Sequence, residues 1–225
     1  MRHPGLGDIT AVTFDMDGTL YSQGRVIAAV IGAMWPHRRF FKVYSAVREG
    51  IRGEGLRGNL RGITVGRVAE RLGMDPLEVD VLVEDLLYGA YVDGITPAAL
   101  LPGVRAFLES LVRGGIRIGL ISDYPVERKL QRLGLELLPW RTLVDSDRCG
   151  ELKPSPVPFI MAAGELGVPP ERVLHIGDRE DCDVVGAHRA GMKAALTVHG
   201  IKRFLNGRTP TGADLVITDY ARIKV

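Results

Sequence analysis

The chain has 225 residues, 46% of them hydrophobic and 25% charged, with a formal net charge of +2. That is enough apolar material to fill one large domain, or a core with a sizeable insertion, and it excludes a disordered or fibrous chain. So small a net charge does not by itself imply a polyanion partner.

In chain order, Met1 to Asp8 carries no hydrophobic signal region, and a first strand is expected over Ile9 to Phe14. From Tyr21 to Leu101 no strand pattern appears, whereas "VGRVAERLG" and "PLEVDVLVEDLLYGAYV" carry helical periodicity. A helical subdomain over 21–101, inserted after the first strand, is the expectation. Its longest apolar run, Val26 to Trp35, is about half of the roughly 20 residues a membrane span needs, so no membrane association is expected. Beyond it, the helix patterns "GVRAFLESLVRGG" and "PVPFIMAAGELG" alternate with strand patterns at Ile116 to Ile121, Arg141 to Val144, Val173 to Ile176, Ala194 to Val198 and Leu215 to Ile217. Alternation of that kind predicts an α/β fold, a Rossmann-like parallel sheet flanked by helices, built from a discontinuous core of 1–20 and 102–225. Cys149 and Cys182 stand in no metal-ligand or disulfide spacing, which suits a reducing compartment; a soluble, cytoplasmic protein is expected.

Ligands of open parallel sheets bind where strands end, which directs attention to those positions. The first strand runs into "DMDGT", with carboxylates at Asp15 and Asp17 whose repulsion calls for a cation or a proton between them. The next ends in "LISD", giving Ser122 and Asp123. Then come "LKPSP" with Lys153 and "GDREDCD" with Asp178, Asp181 and Asp183. Carboxylates with few nitrogen or sulfur ligands suit a hard cation, Mg2+ before zinc.

These four motifs, in this order, resemble the haloacid dehalogenase superfamily of phosphotransferases and hydrolases. The resemblance covers the presumed core and leaves 21–101 unassigned. It implies that Asp15 is a nucleophile forming an aspartyl phosphate and that Asp17 is the general acid and then the base. It further implies that Asp15, Asp178 and the backbone carbonyl of Asp17 hold Mg2+. Ser122 and Lys153 would bind the transferred phosphoryl group, with Gly18 and Thr19 on the substrate side of the loop. Asp183 or Asp181 would support the metal loop, and the spacing does not choose between them. The implied activity is a Mg2+-dependent phosphatase acting on a small phosphorylated metabolite. A sugar phosphomutase would share all four motifs, and a non-catalytic phosphate-binding or regulatory protein is a third reading. A dehalogenase would not need Asp17. Duller roles compete at single positions: Asp17 as a turn residue, Lys153 as a solvated loop lysine, Ser122 as a helix cap.

Two residues depart from the usual pattern: Arg179 after Asp178, where a small residue is frequent, and Asp123, where many relatives carry asparagine. Arg179 is read as loop cover or a substrate contact, and Asp123 is expected to face away from phosphate. The insertion resembles a cap. From Arg25 to Arg71 it carries ten Lys or Arg against three Glu, read as a solvated face or, through Arg38, Arg39, Lys42 or Arg52, as steering of an anionic substrate. "WPHRRFFKVY" interleaves aromatic and basic residues, but Trp35, Phe40, Phe41 and Tyr44 fit a helical core better than a nucleic-acid surface, so no nucleic-acid partner is expected. Monomer and homodimer both stay open.

Overall fold

A short antiparallel ladder joins β1 (Arg2–His3) to β2 (Gly7–Asp8), and β3 (Ala11–Phe14) follows it into the interior. The structure, a computed structural model, describes residues 2–3, 7–199 and 212–223. The expected chain limits of the core, Met1 and Val225, lie outside the described residues. All four residues of β3 are buried, which requires cover on both faces and explains why the run is apolar without alternation. β4 (Arg117–Ile121), β5 (Trp140–Val144), β6 (Val173–Gly177), β7 (Lys193–Thr197) and β8 (Leu215–Ile217) complete a six-stranded sheet in the order β5-β4-β3-β6-β7-β8. Every neighbouring pair is parallel. β3 lies between β4 and β6, where the chain switches from one side of the sheet to the other. In open sheets that is where a binding crevice forms.

Between β3 and β4 the long elements are helical: α1 (Gln23–Met34), α2 (Arg38–Glu54), α3 (Leu60–Leu72), α4 (Pro76–Leu82) and a π-helical continuation, Val83–Ala90, into α5 (Tyr91–Asp93). Side chains start the first and third of these, with Ser22 accepting from the Arg25 amide and Asn59 from the Gly62 amide. Phe40, Tyr44, Val47, Ile51, Leu60, Val68, Val79 and Val83 pack into a cluster of their own, joined by Leu152 from below. The segment leaves and rejoins the sheet at one place. The Ser22 amide donates to Ala99 O at 2.9 Å and the Leu101 amide to Leu20 O at 3.0 Å, so entry and exit run side by side.

α6 (Val104–Arg113), just before β4, and α7 (Glu127–Leu133), after it, bring apolar faces to Phe14, Leu120 and Ile176 on one face of the sheet. A single turn, α8 (Ser146–Cys149), leads to α9 (Val157–Leu166) and later α10 (Val185–Arg189), which cover the other face through Phe159, Ala162 and Ala187. Observed strand limits shift by a residue or two from those expected: Ile9 is buried but precedes the ladder, and Lys193 enters β7 while Val198 leaves it. Of the aromatics assigned to a helical core, Phe40 and Tyr44 are buried and Phe41 packs against them. Trp35 is corrected: it is 61% exposed, on a stripe with Ile27 and Ile31 at helical spacing, because periodicity reveals an apolar face but not whether anything covers it. Among the described residues no helix is long and apolar enough to cross a membrane.

Gly119 sits in the middle of β4, where glycine normally weakens a strand. A Cβ there would overlap the Thr142 methyl on β5, at the point where the register between the two strands shifts. Gly119→Ala should therefore destabilise the fold by about 1–3 kcal/mol in urea unfolding. Adding Thr142→Ser, which removes the methyl and keeps the hydroxyl bonded to Glu165, should recover part of that loss.

Candidate functional site: a carboxylate cluster at the strand ends

The amide of Asp15 continues the β3–β6 ladder, donating to Ile176 O at 2.8 Å, so its side chain leaves the sheet at the switch point. Thr19, on the turn that follows, donates through Oγ1 to Asp15 Oδ2 at 3.0 Å. Between them Gly18 has φ +95°, and a Cβ there would lie 2.5 Å from Asp178 Oδ2. Glycine thus supplies both the left-handed turn and the room for Asp178, which follows β6, to approach the loop. Carboxylate oxygens of Asp15, Asp178 and Asp183 all lie within 4.8 Å of one another.

Lys153 bridges this cluster from the opposite side, and its side chain is only 4% exposed. Its Nζ is 2.7 Å from Asp15 Oδ1 and 2.6 Å from Asp183 Oδ1, with Ile121 O at 3.4 Å. The other oxygen of Asp183 accepts from the Arg179 amide at 3.0 Å. Beneath it, His175 is fully buried, with Nε2 3.3 Å from Asp183 Oδ1 and Nδ1 3.0 Å from Thr13 Oγ1. Asp181 lies outside the cluster, exposed and paired with Arg179 at 2.6 Å. Of the two acids that the spacing left open, Asp183 is the one turned inward.

Crowding acids in a dry place has electrostatic consequences. Burial raises the pKa of Asp15 from 3.8 to about 8; Lys153 opposes the rise, and Asp183, Asp178 and Asp17 add to it. Burial also works against an ionised Asp183, yet Lys153 and the His175 hydrogen bond hold it well below the ordinary carboxylate range. For Lys153 the burial cost is outweighed by Asp15, Asp183 and Asp123, which keep it protonated. Burial lowers His175 against the pull of Asp183. The cluster presents only oxygen donors, the set that suits a hard divalent cation.

Asp17 turns away from these acids. Lys129 Nζ donates to its Oδ2 at 2.5 Å and the Tyr21 hydroxyl donates to its Oδ1; Tyr21 in turn lies 3.2 Å from the Tyr91 hydroxyl. Ser122 follows β4, with its amide bonded to Val144 O and its buried Oγ accepting from the Tyr124 amide at 3.2 Å. Asp123 is engaged by the insertion and by the Lys153 loop: Arg52 reaches Oδ2 at 2.7 Å, and the Lys153 amide reaches Oδ1 at 3.1 Å. Arg52 also donates to Lys153 O. One turn earlier on α2, Arg48 reaches Asp123 O at 2.6 Å while Glu49 pairs with Arg179 at 2.7 Å. Both departures from the usual motif pattern thus meet the same helix. A cleft of about 270 Å³, lined by Arg52, Leu56, Glu151, Pro154, Ser155 and Arg189, opens beside the Lys153 segment and holds none of the clustered acids.

Lys129, Tyr21 and His175 were not legible as site residues. "ERKLQRLG" reads as an ordinary amphipathic helix, and only the tertiary fold brings its lysine to a carboxylate 112 residues away.

Comparison with known proteins places the chain in a family. The model of the haloacid dehalogenase-like hydrolase family matches residues 9–191. A phosphoglycolate phosphatase of Xanthomonas campestris is 29% identical over 198 residues, covering 85% of this chain and 84% of that protein. An N-acetylmuramic acid 6-phosphate phosphatase of Pseudomonas aeruginosa is 30% identical over 217 residues, covering 95% and 92%. The crystal structure of a β-phosphoglucomutase from Clostridium difficile superposes with a TM-score of 0.67 at 22% identity, covering 96% of this chain and 93% of that one, which establishes a shared fold. With the match spanning both strand-end acids and the helices between them, this chain belongs to the haloacid dehalogenase-like hydrolases.

Proposed function

We propose that this hydrolase is a Mg2+-dependent phosphatase that cleaves small phosphate monoesters through an aspartyl phosphate on Asp15. The observation that carries the reading is the buried Asp15 carboxylate, tied to Lys153 at 2.7 Å and within 4.8 Å of Asp178 and Asp183. A nucleophilic carboxylate beside a fixed ammonium and further acids is the equipment for attack on a phosphate dianion. The names of the curated relatives, phosphatases of small phosphorylated compounds, point the same way.

In the first half-reaction an Asp15 oxygen attacks phosphorus, the bond to the substrate's ester oxygen breaks, and Asp17 gives a proton to the departing alkoxide. In the second, water attacks phosphorus, Asp17 takes its proton, and the bond from phosphorus to Asp15 breaks to release inorganic phosphate. Lys153 offsets negative charge beside the nucleophile, and Ser122, whose Oγ accepts from the Tyr124 amide, donates its own hydroxyl proton to a phosphoryl oxygen. Thr19 orients Asp15 through its 3.0 Å hydrogen bond, and Gly18, having no Cβ, lets the Asp178 carboxylate approach the loop. Asp15 and Asp178, with the backbone carbonyl of Asp17, would hold Mg2+, while Asp183 is occupied in supporting Lys153 and the Arg179 amide. When bound, the ion screens the approach of one anion to another. We assign residues 21–101 as a cap that excludes water, docked through Arg48, Glu49 and Arg52 onto Asp123 and Arg179. The free cysteines Cys149 and Cys182 fit a reducing, cytoplasmic setting.

Para-nitrophenyl phosphate with Mg2+ tests the reading directly. The wild type should release phosphate, and EDTA or Asp15→Asn should lower kcat by about 10³-fold or more; equal release in all three samples would refute it. A phosphomutase would instead return phosphate to a second hydroxyl of a sugar phosphate faster than to water. The raised pKa of Asp15 supplies a second test. Between pH 3.8 and about 8 the native protein holds a proton that the unfolded chain has lost, so without metal its stability falls as pH rises through that window. The slope from this group is at most about 1.4 kcal/mol per pH unit. Urea midpoints in EDTA should therefore fall more steeply from pH 5 to 8 for wild type than for Asp15→Asn, and saturating Mg2+ should flatten the wild-type slope.

A further inference from the structure

We propose that Lys129 and Tyr21 are positioning residues that act through Asp17, holding its carboxyl plane for the proton transfers of the reaction. The inference rests on the phosphatase reading above and adds residues that no motif contains. A carboxyl group turns freely about its last torsion, which has broad wells, so a general acid and base needs donors that fix its plane. Asp17 has one on each oxygen, and they come from different parts of the fold. Lys129 projects from α7 and puts its ammonium 2.5 Å from Oδ2, while Tyr21 lies on the strand of chain entering the helical insertion and donates to Oδ1.

Both donors are themselves fixed. The Lys129 side chain is 6% exposed, and its ammonium also lies 5.4 Å from the centre of the Tyr124 ring. A lysine buried so deeply is costly unless it is paired, and Asp17 supplies the pairing. Tyr21 is fully buried, bridged through its backbone to both Asp17 and Leu100, and its hydroxyl is backed by Tyr91 at 3.2 Å. A carboxylate offers about four acceptor sites, so with one taken on each oxygen it still has one free on each to receive or return a proton. The clamp therefore orients the group without blocking it. Tyr21 belongs to the junction with the insertion and Tyr91 to α5, so the clamp on Asp17 joins the sheet to the base of the helical segment.

A double-mutant cycle with Asp17→Asn, read on para-nitrophenyl phosphate with saturating Mg2+, separates action through Asp17 from a general loss of structure. Lys129→Met should lower kcat by about 10- to 100-fold with KM within about threefold of wild type, the scale expected for a misaimed proton-transfer group. In the Asp17→Asn background the same change should alter the residual rate by less than about twofold, since nothing is left to position. Tyr21→Phe, which removes a single oxygen atom, should follow the same pattern with a smaller factor, and it carries the cycle should Lys129→Met fail to fold. Unchanged kcat in the single variants, or an equal fall in both backgrounds, overturns the proposal. A wild type that releases no phosphate overturns the phosphatase reading itself, a result distinct from either.

Discussion

The arrangement of the site depends on one buried ammonium. Asp15, Asp178 and Asp183 converge beyond the ends of adjacent parallel strands, and Asp183 and Asp178 add to the cost of ionising the buried Asp15. Lys153 makes the convergence tolerable by standing 2.7 Å and 2.6 Å from two of them. Its own burial would be prohibitive without those partners, so lysine and acids are mutually required. Offset by one ammonium, the group still carries excess negative charge on oxygen donors alone, a donor set that suits a hard cation.

A second layer of charge joins the helical insertion to the loops beneath it. On α2, Arg48, Glu49 and Arg52 occupy one turn and address Asp123, Arg179 and the Lys153 carbonyl. The exposed pair of Glu49 and Arg179 contributes little to stability by itself, about 0–1 kcal/mol. The value of these contacts lies in registration: complementary signs on the two sides allow one seating of α2 and penalise others. Asp123 joins both layers, since its carboxylate accepts from Arg52 and from the amide of Lys153.

Much of this could be read from the chain. The sheet was legible because strands buried on both faces are uninterrupted apolar runs, and the convergence of Asp15 and Asp178 followed from their places at the ends of β3 and β6. What escaped reading depends on distance in the chain. Asp123 and Arg179 stood out as local departures, but their partners on α2 lie 71 and 130 residues away. Lys129 carries no mark at all, because a lysine on an amphipathic helix is ordinarily solvated. Trp35 was misread for a related reason: the 3.6-residue period that places it on an apolar face holds equally for faces left open. The choice between Asp181 and Asp183 required the turn after β6, whose backbone directs one inward and the other onto Arg179.

The side-by-side entry and exit of the helical segment has a mechanical corollary. With Ser22 bonded to Ala99 and Leu101 to Leu20, any swing of the helices as a body pivots about that pair of strands. Displacement in such a swing grows with distance from the fulcrum. Tyr21, at the fulcrum, would barely travel, whereas Arg52, away from it on α2, would move further from its partner Asp123. The Tyr21 contact to Asp17 lies beside the pivot, whereas the α2 contacts to Asp123 and Arg179 lie away from it.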